Sequence, residues 1–569
     1  MSNRSRSELV DALQELVELL TLAEGGRSSF RARAFASAAK AVEDHAETSS
    51  MSPKRLMALP GIGKSTAETI KEYFATGQIA RLEELRAQYP AELVELTRIP
   101  GLGAKTVLRL RDEAGIANLA GLRAAIVQER VGTLPGLAGW TEERLATAIA
   151  HIGGKHDRQP IHRVLPMAEA LRFELSQLPE VSAAFLGGSL RRQESTIADV
   201  DVLVATEDPA SVIAYFLDTP RVTSVIVTGE KMVSVYVENG DNIKECQVDL
   251  RTTPAAALGP ALLHFSSGRE HNIRLRMRAH DLGFSLNENS LHHRGTDDVI
   301  CQGSEEELYA MLGLPWFVPG LRQGQGEIAA GLEGRLPKVV EPADVRGDLL
   351  AEGQIALLDL VKAAQARSYE YISIVNASED AAEQSKSWQE VAALRKQIAD
   401  MLILHACIRD LDADGYVECS ADDRANYDFC IARVSGHLQL SERQQTDRLL
   451  EAMEDPAVRI ISQLTARRIG EFRGIEFDVQ AVLDAAKEND VAIEIASDLQ
   501  RLDPPSAIVR RGCENGNLFV VSSRAPDVAG LAQIEIGIRH SHRGWLDKAN
   551  VVNTWKRSRF EEWLRAPYS

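Results

Sequence analysis

Residues 187–204 read GGSLRRQESTIADVDVLV, in which a Gly-Gly-Ser turn precedes two aspartates within an apolar segment. Asp199 and Asp201 are two residues apart, and residues i and i+2 of a β-strand point to the same face. Neighbouring carboxylates repel each other, and a hard divalent cation is the usual reason to keep both ionised. The backbone amides and the hydroxyl of the turn suit a phosphate. Together these features indicate phosphoryl transfer.

A third carboxylate strengthens this interpretation. A solvated Asp-x-Asp pair at a strand end is the simpler alternative, and an isolated pair would favour it. Residues 229–253, however, read as two strands joined by a polar segment, and Asp249 and Arg251 share one face of the second strand. On a neighbouring strand, Asp249 would complete a two-metal cluster with Asp199 and Asp201.

Length and composition predict a large protein without a membrane segment. The 569 residues are 44% hydrophobic, enough for three or four domains. No apolar run approaches the roughly 20 residues that a membrane span needs, and the N-terminus lacks the apolar core of a signal peptide. The six cysteines form no CxxC pair, which argues against a zinc ribbon or a disulfide framework. We therefore expect a soluble, cytoplasmic protein.

The charge is unevenly distributed along the chain. The net charge is -18, yet residues 1–300 carry 34 basic and 39 acidic side chains, whereas residues 301–569 carry 30 and 43. A DNA-binding surface in the first half would therefore be local, built from backbone amides and a few basic side chains. The acidic second half is a poor surface for DNA.

Three Pro-Gly segments repeat in the first 150 residues: LPGIGK at 59–64, IPGLGA at 99–104 and LPGLAG at 134–139. The first two precede helix-like sequences and resemble helix-hairpin-helix motifs. Their glycines allow close approach of a phosphate, and the next helix offers free N–H groups. A turn between packed helices is the alternative, which we favour for the third segment because Ala138 replaces a glycine. The predicted DNA-binding residues are Gly61, Gly63, Lys64, Gly101, Gly103 and Lys105.

The order of these hairpins, GGSxRR, DxD, QVDLR and a basic EHNxxLR helix resembles the family X DNA polymerases, the bacterial members in particular. The resemblance covers essentially the whole chain. It implies that Asp199, Asp201 and Asp249 are catalytic and bind two Mg²⁺ or Mn²⁺ ions. In such a site the cations activate the primer 3′-hydroxyl and hold the triphosphate of a dNTP.

The same resemblance implies further contacts. The residues that match nucleotide-binding positions are Gly188, Ser189, Arg192, His264 and Asn272, and those that match DNA-contacting or supporting positions are Arg251 and Arg276. His264 stands where the family commonly has a tyrosine that helps to exclude ribonucleotides, and Ala198 replaces a glycine. The sequence therefore leaves open how well the site discriminates deoxyribose from ribose in the incoming nucleotide.

The last 220 residues alternate strand-like and helix-like segments, which predicts an α/β barrel. They resemble the PHP phosphoesterase domain, where nine His, Asp and Glu ligands bind three metal ions. The matching positions are Leu350, Glu352, Asn376, Ala377, Ile408, Ser435, Gln463, Arg524 and Pro526. Because most of these side chains cannot bind a metal ion, we predict a barrel without metal and without 3′-5′ exonuclease activity.

The chain is thus predicted to be a multidomain α+β and α/β protein. The domains are an N-terminal helical domain with the first hairpin (1–85), a helical DNA-binding domain with the second (86–152), a nucleotidyltransferase palm (153–255), a small thumb (256–319), a linker (320–342) and a degenerate PHP-like barrel (343–569). The expected function is gap filling in DNA repair. The expected partners are gapped or primer-template DNA, dNTP and repair proteins that bind the C-terminal domain. We expect no association with a membrane.

Two alternatives remain open. One is a DNA-binding repair scaffold with little catalytic activity, and the other is a ribonucleotide-tolerant or template-independent nucleotidyltransferase. The three retained aspartates of the middle domain, beside a barrel that has lost its ligands, favour an active polymerase over a scaffold.

Overall fold

The computed structural model describes residues 6–24, 29–44, 48, 51–59, 61–97, 99, 102–138, 141–142, 145–146, 149, 158–238, 245–296, 298–352, 357–378, 380–417 and 426–565. The chain divides into two compact units. The first comprises Met1–Gln159, Arg163–Leu190 and Thr196–Ala261, and the second comprises Pro160–His162, Arg191–Ser195 and Leu262–Ser569. Within the described residues, no helix is both long enough and apolar enough to cross a bilayer.

The first unit begins with short helices that share one aliphatic core. In α1 the buried leucines recur every three or four residues, so one face of the helix is apolar. The helices are α1 (Arg6–Ala23), α2 (Phe30–Asp44), α3 (Pro53–Leu56), α4 (Lys64–Thr76), α5 (Ala80–Gln88), α6 (Ala91–Leu96), α7 (Ala104–Ala114) and α8 (Leu119–Val127). The helices α4 and α7 begin directly after the first two predicted hairpin turns.

A five-stranded sheet follows, in the order β2-β4-β7-β6-β5. The strands β4 and β7 pair in parallel, and the other pairs are antiparallel. The elements from residue 159 to 253 are β1 (Gln159–Pro160), α9 (Ile161–Ser176), β2 (Val181–Leu186), α10 (Gly188–Arg191), β3 (Thr196–Ile197), β4 (Val200–Thr206), α11 (Pro209–Leu217), β5 (Val222–Thr228), β6 (Met232–Val237) and β7 (Cys246–Thr253). This sheet corresponds to the predicted palm.

The second unit begins with a small helical and antiparallel subdomain. Its core includes Leu275, Leu308, Tyr309 and Phe317. The elements are the end of α12 (Leu258–Ser266), whose first four residues belong to the first unit, and α13 (Arg269–Asp281), β8 (Phe284–Leu286), β9 (Leu291–His293), β10 (Val299–Cys301), α14 (Glu305–Met311) and α15 (Glu327–Leu332). The three strands form a sheet in the order β10-β9-β8.

The remainder of the second unit is a parallel sheet of seven strands that pair in chain order. The strands are β11 (Gly347–Ala351), β12 (Tyr371–Asn376), β13 (Leu402–Asp410), β14 (Phe429–Arg433), β15 (Val458–Ser462), β16 (Ala492–Ala496) and β17 (Phe519–Ser522). The helices are α16 (Leu357–Ala366), α17 (Ala381–Gln397), α18 (Glu442–Glu454), α19 (Val479–Glu488), α20 (Ser506–Asn515), α21 (Ile534–Arg543) and α22 (Arg557–Arg565).

This parallel sheet is nearly closed, because β11 lies against β17. Asn553 donates to the carbonyl oxygens of Gly347 and Val521 on the two sides of the seam, at 3.1 and 2.8 Å. Asp348 of β11 accepts hydrogen bonds from Ser523 beyond β17. The predicted fold class, with helical domains, a mixed-sheet palm, a thumb and an α/β barrel, is confirmed.

Candidate active site

The Gly-Gly-Ser turn lies directly against one of the predicted aspartates. The backbone N–H of Gly187 donates to the carbonyl oxygen of Asp201 at 2.8 Å. Gly188 has a φ of 53°, and a Cβ atom on it would lie 2.0 Å from Oδ2 of Asp201. Only glycine fits there, because the positive φ and the close carboxylate both exclude a side chain. The turn and the carboxylate of Asp201 therefore face each other.

The second carboxylate comes from the neighbouring strand. Asp201 on β4 and Asp249 on β7 are partners in the parallel register, so their Cα atoms are about 5 Å apart. Every residue of these two strands is buried except Asp201, Asp249 and Arg251. The register thus brings two of the predicted ligands together on the accessible face of an otherwise buried strand pair.

Asp199 lies just before β4, which begins at Val200, and not inside the strand as the sequence pattern suggested. The chain bends at Ala198 and Asp199 before the ladder begins. Burial, together with the nearby carboxylate of Asp199, raises the pKa of Cys246 to about 12. The charge of Asp199 therefore acts on Cys246, the first residue of β7.

Asp249 is held by hydrogen bonds within the sheet. Its Oδ1 accepts from the hydroxyl of Ser234 at 2.5 Å and from Nε2 of Gln247 at 2.9 Å. Its Oδ2 lies 3.7 Å from Nη2 of Arg251. Arg251 therefore lies beside the third aspartate, and its role stays a prediction.

The donor set of this region fits divalent cations and a phosphate. Among the residues that the structure describes, no three His, Cys, Asp or Glu side chains are grouped closely enough to bind one metal ion as they stand. The carboxylate oxygens are nevertheless the ligand type that Mg²⁺ and Mn²⁺ prefer. The hydroxyl of Ser189 is buried and has no hydrogen-bond partner among the described residues. A phosphate oxygen is the kind of acceptor that this hydroxyl lacks.

The predicted nucleotide and template contacts form a second group, which belongs to the second unit. Nδ2 of Asn272 donates to the carbonyl oxygen of His264 at 2.8 Å, and Nη2 of Arg276 donates to Nδ1 of His264 at 2.9 Å. Asn272 and Arg276 are four residues apart on α13 and so share one helix face. Nη1 of Arg192 donates to the carbonyl oxygen of Ser266 at 2.9 Å. Asn272 and Arg276 therefore both form hydrogen bonds with His264.

Sequence reasoning missed an ion network in this unit. Glu305 binds Arg191 at 2.7 Å and the fully buried Arg322 at 2.5 Å. Burial works to raise the pKa of Glu305, but Arg322 and Arg191 outweigh burial and bring that pKa to about 2. Arg191 precedes Arg192 in the chain, so the network anchors the backbone beside a predicted phosphate ligand. The sequence motif GGSLRR predicts a role for its second arginine, Arg192, but contains no signal for the first, Arg191.

The hairpin glycines are accessible where the structure describes them. A Cβ atom on Gly63 or Gly103 would meet nothing within 4 Å, and Lys64 and Lys105 are exposed. Gly61 has a φ of 87°, which favours glycine. Gly101 lies outside the described residues. Open backbone at the first turns of α4 and α7 leaves room for a phosphate.

The third Pro-Gly segment packs against the second hairpin. A Cβ atom on Gly136 would lie 3.0 Å from Cγ2 of Thr106 on α7. Leu134 and Leu137 on either side of it are buried. These contacts support the interpretation of a structural turn, and Gly139 and Trp140 lie outside the described residues.

The barrel has an arginine at one of the positions predicted to have lost a metal ligand. Nε and Nη2 of Arg524 donate to the two carboxylate oxygens of Glu494 on β16, at 2.6 and 2.7 Å. Nη2 of Arg524 also donates to the hydroxyl of Ser462 at 2.6 Å. Leu350 and Ile408, at two other lost positions, are buried. A guanidinium paired with a buried carboxylate therefore occupies one predicted ligand position, and the loss of exonuclease activity stays a prediction.

The parts described so far define a class of protein: helix-hairpin-helix domains followed by the palm and thumb of a DNA polymerase. Family comparisons agree with this class. A helix-hairpin-helix domain family matches residues 4–79, a SAM-like helix-hairpin-helix tandem matches residues 93–150, and the DNA polymerase beta thumb matches residues 261–323.

Comparison with whole proteins extends the similarity along nearly the whole chain. The DNA polymerase/3′-5′ exonuclease PolX of Bacillus subtilis is 29% identical over 554 residues, which cover 95% of this chain and 96% of that protein. DNA polymerase lambda of Rattus norvegicus is 25% identical over 317 residues, 52% of each chain, and that of Arabidopsis thaliana is 24% identical over 47% of this chain and 53% of its own. The predicted resemblance to the family X DNA polymerases is confirmed along nearly the whole chain.

Proposed function

We propose that this chain is a DNA-directed DNA polymerase that fills short gaps in DNA repair. It transfers a nucleotide from a dNTP to the 3′-hydroxyl of a primer and releases pyrophosphate. The observation that carries the proposal is the in-register pair of Asp201 and Asp249 beside the Gly188–Ser189 turn. A gap-extension assay with the wild type and Asp249→Ala tests it.

Each group of residues has a part in this reaction. Asp199, Asp201 and Asp249 would hold two Mg²⁺ or Mn²⁺ ions, which when bound lower the pKa of the primer hydroxyl and neutralise phosphate charge. The amides of the Gly188 turn and the hydroxyl of Ser189 bind the triphosphate, and Arg192 adds a charge-assisted contact. The hairpins hold the DNA backbone through open helix N-termini without reading sequence.

Sugar selection is the point at which this chain departs from the family. The second candidate function, a ribonucleotide-tolerant or template-independent nucleotidyltransferase, is favoured by one observation: His264 replaces the tyrosine and is fixed by Asn272 and Arg276. An imidazole fills less space than a phenol ring, so it excludes a ribose 2′-hydroxyl less effectively.

We expect His264→Tyr to raise the ratio of kcat/KM for dATP over ATP on a templated primer by roughly 10-fold, the size of a steric pocket effect. Single-nucleotide extension with both nucleotides measures it, and His293→Tyr, at a largely exposed position on β9, is the control. A ratio in His264→Tyr equal to that of the wild type would reject a steric role for this position. Extension of an untemplated primer tests template independence.

We further propose that the barrel is a scaffold or a partner surface for repair proteins and not a nuclease, and that the protein acts in the cytoplasm. The Arg524–Glu494 pair supports the absence of nuclease activity, because a guanidinium at a lost ligand position repels the cations that a nuclease would need.

Purified protein should leave 3′-ended DNA at full length in Mn²⁺ without dNTP, as followed on denaturing gels. The assay includes Asp249→Ala, since any shortening that survives in this variant arises outside the palm. Metal-dependent shortening by both proteins contradicts the prediction. Cell fractionation tests the location.

A further inference from the structure

Three side chains around Asp249 form a closed hydrogen-bonded triangle inside the sheet. The hydroxyl of Ser234 and Nε2 of Gln247 both donate to Oδ1 of Asp249, at 2.5 and 2.9 Å. Nε2 of Gln247 also donates to the hydroxyl oxygen of Ser234 at 3.2 Å. Both donor residues are buried, with 3% and 8% of their surface exposed. The two donors are therefore shielded from water, and the triangle has a defined geometry.

The backbone explains why these side chains meet. Ser234 on β6 is the antiparallel register partner of Asp249 on β7, and Gln247 is two residues before Asp249 on the same strand. Residues i and i+2 of a strand share a face, and register partners lie side by side. All three side chains therefore leave the sheet on one side.

The triangle gives the two carboxylate oxygens of Asp249 different partners. A carboxylate oxygen offers about two lone-pair directions, and two donors already occupy both at Oδ1. The remaining oxygen, Oδ2, is the one that lies 3.7 Å from Nη2 of Arg251. Rotation of the carboxyl group would break both hydrogen bonds, so the position of Oδ2 is fixed as well.

We propose that Ser234 and Gln247 are positioning residues that present Oδ2 of Asp249, and not Oδ1, to the catalytic cation and the primer hydroxyl. The inference rests on the proposed polymerase function. Neither residue touches substrate in this assignment, and both act through Asp249. Partners of this kind typically change metal affinity or activity by about 10–100-fold when removed.

The test compares Ser234→Ala and Gln247→Met with Ser234→Thr, which keeps the hydroxyl. We expect each of the first two variants to lower kcat for gap extension by roughly 10-fold, with KM for dNTP within about twofold, and Ser234→Thr to recover most of the loss. The affinity of the protein alone for Mn²⁺, measured by electron paramagnetic resonance, should fall by a similar factor. The double variant should lose less than the product of the two single effects, because both residues act on one oxygen.

Ser182→Ala is the matched control for general damage to the sheet. Ser182 lies on β2 of the same sheet, and its hydroxyl donates to the carbonyl oxygen of Ala205 on β4 at 3.1 Å. It should leave kcat and Mn²⁺ affinity unchanged. Thermal melting shows which variants fold. If Ser234→Ala does not fold, Gln247→Met still tests the proposal.

The outcomes separate this inference from the proposed function. If the wild type extends primers, Asp249→Ala does not, and Ser234→Ala and Gln247→Met match the wild type in kcat and Mn²⁺ affinity, the positioning role is wrong and the polymerase assignment stands. Equal extension by the wild type and Asp249→Ala overturns both. A loss in Ser234→Ala that Ser234→Thr does not recover also overturns the positioning role.

Discussion

Asp249→Ala should lower kcat/KM for extension of a gapped duplex by about 10³-fold or more, within the range seen when a group that assists proton transfer is lost. Asp249 is the carboxylate nearest the primer in the family that this chain resembles. Its register partner is Asp201, so its removal also leaves the paired carboxylate without its neighbour. Single-nucleotide incorporation into a one-nucleotide gap with Mg²⁺ or Mn²⁺ measures the loss.

Glu230→Gln serves as the control, because it removes an exposed carboxylate from the turn between β5 and β6 of the same sheet. Its kcat/KM should stay within about twofold of the wild type, as for ordinary surface changes. Gel-shift affinity for the gapped DNA should be similar in all three proteins, since in the proposed function the hairpins, and not Asp249, hold the DNA backbone. Extension by Asp249→Ala at the wild-type rate would end the polymerase assignment.

Arg524→Met should lower the free energy of unfolding of the barrel by about 3–5 kcal/mol, the cost of breaking a buried ion pair by removing one partner. Glu494 is fully buried, and the guanidinium of Arg524 contacts both of its carboxylate oxygens. Urea unfolding followed by tryptophan fluorescence measures the change in the full chain. This signal reports mainly the second unit, because every tryptophan except Trp140 belongs to it.

The pH dependence of this variant has a definite sign. Burial works to raise the pKa of Glu494, but Arg524 and hydrogen bonds from Ser522 and Ser462 hold it below its ordinary value of 4.5. In the wild type this contribution to stability is present above pH 4.5 and is lost as the pH falls through the folded-state pKa. Without Arg524, we expect burial to outweigh the hydrogen bonds that remain from Ser522 and Ser462 and to raise the pKa of Glu494. The folded variant then takes up a proton and loses stability as the pH rises, so the deficit should be larger at pH 8 than at pH 5.

Two further variants isolate the ion pair. The double variant Arg524→Met/Glu494→Gln removes both charges and should regain more than half of the lost stability, since a neutral replacement leaves no buried charge uncompensated. Arg539→Met removes an exposed arginine that lies 3.6 Å from Glu535 on α21, and should change stability by less than about 1 kcal/mol. A loss of stability in Arg524→Met as small as that in Arg539→Met would contradict the predicted contribution of the Arg524–Glu494 pair to stability.

Much of the architecture could be predicted because its signals are local. Glycines mark the turns before α4 and α7, and the alternation of apolar strands with helices marks the barrel. The spacing of Asp199 and Asp201 and the Gly188–Ser189 turn identified one half of the candidate site within a single run of residues. Each of these signals depends on backbone preferences or on periodicity over a few residues, which a linear pattern contains.

Other features arise from residues that are distant in the chain. Ser234 reads as an ordinary position in MVSVYV, and becomes significant only because the register of β6 on β7 sets it opposite Asp249. A slip of one residue would turn it to the other face of the sheet. In the sequence, Glu494 reads as a single charge in an apolar strand, because its partner Arg524 follows a different strand. Linear order alone thus indicated the family resemblance, the order of the parts and the charged residues of the candidate site. Strand register and barrel closure assigned those charges their partners, because electrostatic pairing depends on distance in space.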